Sequence, residues 1–126
     1  MNVWFGSQEL AHTCNSDCAR VAAYGMESAR LIWVRLGQLC GVANLAKMRE
    51  FAAVRLRSGL IAQRAVVFIS AGRKFELVVQ GADESVKLAD ETTVTSVIVV
   101  DVLPVGLEPP GQHPDASSLE SKGSLR

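Results

Sequence analysis

This sequence is poor in the residues that perform specialised chemistry. Its 126 residues include two histidines and three cysteines. Cys14, Cys18 and Cys40 are odd in number, which argues against a disulfide framework and suits a reducing, cytoplasmic compartment. His12, Cys14 and Cys18 lie close together, but a fourth ligand is missing and their spacing matches no zinc pattern, so no metal is expected. Cys18 and Cys40 read instead as small buried apolar residues. His113 sits in a polar tail and is expected to be inert. No apolar run approaches the roughly 18 residues that span a membrane. No basic segment followed by an apolar one opens the chain, so no secretory signal is expected. A phosphate-cradling glycine loop and a Gly-x-Ser-x-Gly elbow are both missing, and no cofactor is implied.

Net charge is also missing, but only in sum. Residues 20–74 carry ten Lys/Arg against Glu27 and Glu50, a balance of +8. Residues 75–126 carry three bases and nine acids, a balance of −6, and the first 19 residues add −2. Such asymmetry suggests that the basic part meets a polyanion or an acidic protein. The alternative is that the two halves neutralise each other in the fold.

What is present is an ordinary globular composition, with a near-half apolar fraction in a length that suits one domain. Residues 2–6 are apolar and bounded by glycine, and read as a strand. Ser7 is placed to cap a helix through about His12. Asn15, Ser16 and Asp17 form a second cap cluster before a helix to Tyr24. Gly25 interrupts. From Met26 to Leu39, the residues Ala29, Ile32, Leu36 and Leu39 recur at threes and fours, which is one face of a helix. Arg30, Arg35, Glu27 and Gln38 lie off that face. Gly41 reads as a C-terminal cap that tolerates positive φ. Residues 42–53 read as one more short helix or turn.

The period then changes. Ala65–Ser70 is β-branched, Ala71-Gly72 signals a turn, and Arg73–Gln80 alternates with Phe75, Leu77 and Val79 on one face, which predicts a hairpin. Residues 81–92 are polar and acidic and read as an exposed loop. Thr93–Leu103 is rich in Val and Ile on both faces and reads as a central strand that Pro104 stops. Residues 107–126 hold three prolines and no aromatic and read as a disordered tail. The order predicts an α+β fold over residues 1–106: a small antiparallel sheet with an N-terminal strand, two to three helices packed on one side, then a three-strand meander.

Several segments occur in the order and spacing of a known family. They are Tyr24-Gly25, Arg35-Leu36, Ala43-Asn44-Leu45, the hairpin strand Phe75–Val79 and the last strand Val94–Val102. On these the chain resembles the RelE/ParE toxin superfamily, and most closely its HigB-like branch, over roughly residues 2–106. The resemblance implies the toxin of a two-gene toxin–antitoxin module. It implies ribosome-dependent cleavage of messenger RNA without a cofactor, in the cytoplasm, and an oligomer with a helix-turn-helix antitoxin. Three polar positions of the family pattern depart here. The segment Arg55–Leu60 holds no His, the arginine of the second hairpin strand is Glu76, and the closing Asp-Tyr-His falls on Pro104-Val105-Gly106.

RNA cleavage of this kind needs a group to take the ribose hydroxyl proton and cations to hold the charge that builds on phosphorus. The catalytic candidates are Arg73, Lys74, Glu76 and Arg57. The RNA-binding candidates are Arg55, Arg57, Arg64, Arg73 and Lys74. Glu76 is the candidate base, with Asp101 a lesser one. The alternative use of Glu76 is an exposed strand residue paired with Lys74. Trp4 and Trp33 are available to stack on bases or to pack in a core or partner. Because the departures fall on the family's chemistry, a second reading stays open. It is a non-catalytic protein on the same fold, either an inactive relative that binds its antitoxin or a ParE-like gyrase inhibitor. An unrelated α+β domain is the third.

Overall fold

The computed structural model describes residues 1–51, 53–82 and 90–105. Strand β1 (Asn2–Phe5) leads into helices α1 (Gln8–Asn15), α2 (Asp17–Tyr24), α3 (Met26–Gly41) and the single turn α4 (Leu45–Met48). Strands β2 (Arg57–Ile61), β3 (Arg64–Ala71), β4 (Phe75–Gly81) and β5 (Ser96–Pro104) follow, with a 3₁₀ turn at Glu91–Thr93 before β5.

Local chemistry sets the helix ends. The Leu10 N–H donates to Ser7 Oγ at 3.0 Å, and the Ala19 N–H donates to Ser16 Oγ at 3.3 Å, so each serine satisfies a free first-turn donor. Gly25, at φ 84°, both ends α2 and starts α3. Gly41 is the last helical residue rather than a positive-φ cap, and Val42 is the cap residue in an extended conformation.

The sheet order is β1-β5-β4-β3-β2. Strands β2 to β5 form an antiparallel meander, but β1 lies parallel to β5, with Asn2 opposite Ser96 and Phe5 opposite Val99. The expected all-antiparallel sheet is therefore mixed, and the meander has four strands instead of three. The parallel pair arises because the last strand returns beside the first only after the whole helical layer and meander intervene. The extra strand is β2. Its sequence Arg-Ser-Gly-Leu-Ile is too polar to announce itself, and its turn residues Ala62 and Gln63 carry no turn signature. Both nonetheless adopt positive φ, 51° and 67°, as a two-residue hairpin turn requires. As expected, β5 is an interior strand.

One face of the sheet meets the helices. Ile32, Leu36 and Leu39 of α3 pack with Val67 and Ile69 of β3, Leu77 and Val79 of β4, and Val97 and Val99 of β5. On the other face a smaller cluster, Val66, Phe68, Val78 and Leu103, consists of strand residues alone. Gly72 makes the β3–β4 turn at φ 89°, and a Cβ there would come within 2.6 Å of Leu31 Cδ1.

Two expectations about burial are corrected. Arg35 is not on an outer helix face but is 6 % exposed. Its Nε donates to the Ser70 carbonyl at 2.7 Å, and its other nitrogens donate to Gln38 Oε1 at 3.1 Å and to the Ala53 carbonyl at 3.2 Å. These acceptors let α3 bury a cation while it ties β3 to the segment before β2. Burial holds the Arg35 pKa below its ordinary value. Conversely, Cys18 and Cys40 are exposed, and Cys14 is the buried thiol, its pKa raised by desolvation. The expected tail at 107–126, with His113, and most of the acidic loop, 83–89, lie outside the described residues.

Candidate functional site

The candidate residues fall on the helix-free face and on the turns around it. Arg57 of β2 stands opposite Phe68 of β3, which stands opposite Val78 of β4. The Arg57 guanidinium lies over the Phe68 ring, 4.0 Å from its centroid. From there it reaches across β3 to Glu76 of β4. Arg57 Nε donates to Oε2 at 3.2 Å, and the second nitrogen donates to Oε1 at 3.0 Å. This fork occupies both carboxylate oxygens, and the Glu76 side chain is 12 % exposed. Glu76 faces away from the helix-side core, as alternation demands, but its partner is Arg57 and not Lys74.

Arg73 and Lys74 sit in the β3–β4 turn. Both are exposed, and neither side chain makes a hydrogen bond or ion pair among the described residues. The turn itself is held, because the Val105 N–H donates to the Lys74 carbonyl at 2.7 Å and so ties it to the end of β5. Arg55 is exposed in the connection before β2 at φ 48°. Arg64 opens β3 opposite Ile61 and is not a free cation. Strand β3 has eight residues. At roughly 3.4 Å per residue, Arg64 and the Arg73–Lys74 turn stand about 25 Å apart at its two ends. That exceeds the screening length of about 8 Å, so the five cations do not act as one patch. Arg57, Glu76 and the Arg73–Lys74 turn are brought to one end; Arg64 is not.

Tyr24 and His12 are placed elsewhere, whereas Asp101 stands opposite Val78 in the register of β4 and β5. Tyr24 packs edge-on against Phe75 on the helix side, with ring centroids 5.1 Å apart and planes at 71°. Burial, with smaller effects of Cys14 and Asp101, pushes its pKa up to about 12, so it holds its proton. Asp101 accepts from the Val102 N–H at 2.8 Å. His12 is exposed on α1, and among the described residues it forms no metal-holding group with Cys14 and Cys18.

Sequence reasoning missed two arrangements. Arg49 makes a two-bond fork to Glu91 at 2.6 and 2.8 Å, joining the end of α4 to the turn before β5. Arg20 is 5 % exposed beneath the exposed Trp33, its guanidinium carbon 4.5 Å from the ring centroid. The first pair is separated by 42 residues and leaves no local signal. Among the described residues, no helix is long and apolar enough to cross a membrane. No family model, no curated protein and no solved structure matches the chain.

Proposed function

We propose that this chain is a toxin-fold protein of a two-gene toxin–antitoxin module that acts by binding rather than by cutting RNA. The family part of this reading rests on the resemblance of residues 2–106 to the HigB-like branch. The order of an N-terminal strand, helices on one sheet face and a closing meander supports it. The binding part rests on one observation: Glu76, the candidate base, is held by both oxygens in a fork from Arg57. A carboxylate in that fork must break two charge-assisted bonds before it accepts a proton. No histidine or tyrosine stands on that face among the described residues.

The binding element is the exposed Arg73–Lys74 turn, held by Val105, whose side chains make no hydrogen bond or ion pair among the described residues. Two exposed cations on a fixed turn suit an acidic helix-turn-helix antitoxin. The same two cations favour a second reading, cleavage of messenger RNA on the ribosome, since exposed cations can hold a phosphate. Induction in cells with mapping of RNA 5′ ends separates the two. Intact messages, with capture of the protein by the product of an adjacent helix-turn-helix gene, are expected. Cuts inside codons would overturn the binding reading in favour of the nuclease.

A further inference from the structure

Arg57 carries more donors than its fork to Glu76 uses. A guanidinium has five N–H groups, and Nε and Nη2 give one each to the carboxylate. Nη1 makes no hydrogen bond among the described residues, so the Nη1–Nη2 edge is left to match a second carboxylate. The Arg57 side chain is 55 % exposed, yet two contacts hold it. Phe68, 1 % exposed in an interior strand, lies beneath the guanidinium, and Glu76 fixes its inner edge. The same face carries a second cation. The Val105 N–H donates to the Lys74 carbonyl, which continues the β4–β5 ladder one step past the Phe75–Pro104 pair. Alternation therefore sets Lys74 on the face of Glu76, about 7 Å along the strand. Lys74 is exposed, and Val105 opposite it is 48 % exposed.

We propose that this end of the helix-free face is a receptor for an acidic peptide segment of a partner protein. The open edge of Arg57 holds one Asp or Glu carboxylate, Lys74 adds charge beside it, and Val105 meets an adjoining apolar side chain. Glu76 is a positioning residue that acts through Arg57. An arginine already stacked and forked loses little freedom when it binds, which is where such a receptor gains over a loose surface cation. Glu76 also selects the ligand. Its charge against those of Arg57 and Lys74 leaves a balance of +1, which one carboxylate cancels. The successive charges of a phosphodiester chain would meet its repulsion instead. The kind of partner rests on the binding reading above; the receptor geometry does not.

Titration of the full chain with the blocked hexapeptide (Glu-Leu)3, followed by nitrogen-15 NMR, tests it. The Arg57 Nη resonances are expected to shift while Nε stays where Glu76 holds it. Arg57→Lys keeps the charge and loses the planar fork, and is expected to weaken binding at least about tenfold, as Arg57→Ala does. Lys74→Ala is expected to weaken it about twofold to fivefold. The neutral peptide (Gln-Leu)3 is expected not to bind. Silent Arg57 resonances, or a shift that releases Nε from Glu76, would overturn the proposal. So would an Arg57→Lys variant that binds as the parent does, equal binding of the neutral peptide, or tighter binding of an RNA hexamer at the same ionic strength. Such a result would leave the Arg73–Lys74 reading to its own test, capture by the adjacent gene product.

Discussion

Arg57 and Glu76 form their ion pair across an intervening strand. Strand β3 lies between β2 and β4, and the Arg57 guanidinium crosses it on the ring of Phe68. Glu76→Gln keeps the shape of the pair and removes its negative charge. The stability loss is expected to be about 1 kcal/mol or less, since the Arg57 side chain is 55 % exposed. Retention on heparin is expected to rise, because Arg57 is no longer neutralised. Unchanged retention in a salt gradient would show that Arg57 is not accessible to a polyanion even when freed. Arg73→Ala with Lys74→Ala is expected to lower retention in the same assay.

The β2–β3 turn is built from residues that dislike it. Ala62 and Gln63 adopt φ 51° and 67°, a left-handed conformation that disfavours side chains by roughly 1–2 kcal/mol per residue. Gln63→Gly, and Ala62→Asn, are each expected to raise stability by about 0.5–1 kcal/mol. Urea midpoints with an unchanged slope would check this. A fall in midpoint would mean that a side chain of the turn has a role its backbone does not reveal.

Arg35 joins three elements with one guanidinium. Arg35→Ala removes the donors to the Ser70 and Ala53 carbonyls and is expected to cost about 1–3 kcal/mol in all, most of it at the half-buried Ser70, since Ala53 is exposed and water can replace its donor. Arg35→Lys is expected to recover only part of this, since an ammonium cannot reproduce the planar fork. Chemical denaturation of both variants reads the difference. Equal stability of the lysine variant and the parent would count against the three-way clamp.

Tyr24 is the single tyrosine of the chain, which makes it directly visible to ultraviolet titration. Its folded pKa of about 12 lies above the ordinary value of 10, chiefly because burial disfavours the phenolate. The unfolded chain therefore loses this proton first. The stabilising contribution is full below about pH 10 and is lost as pH rises to about 12. Tyr24→Phe is expected to remove this part of the alkaline loss while it keeps the edge contact with Phe75. A phenol that titrates near 10 in the folded protein would refute it.

The helices, their serine caps and the Gly25 break were legible because they rest on residues at most four apart, and the β3–β4 hairpin because its turn and alternation are local too. A cap is read from one side chain and the donors three residues on, and a helix face is read from its own period. The candidate site was legible only as a list of types. That Glu76 meets Arg57 depends on β2 being a strand at all, and nothing in Arg57–Ile61 or in Ala62-Gln63 announces one. Arg35 reads as an outward cation until Ser70 and Ala53 supply acceptors beneath it.

The sequence by itself determined the α+β class, the helix-side core and the division of charge, because these follow from local periodicity and composition. Only the tertiary structure decided that β1 runs parallel to β5, that Cys14 and not Cys18 or Cys40 is buried, and that the candidate base is already paired. The physical reason is the same in each case. Strand neighbours and ion pairs are chosen by which distant segments the packed helices bring together, and residues tens of positions apart carry no local mark of their partners.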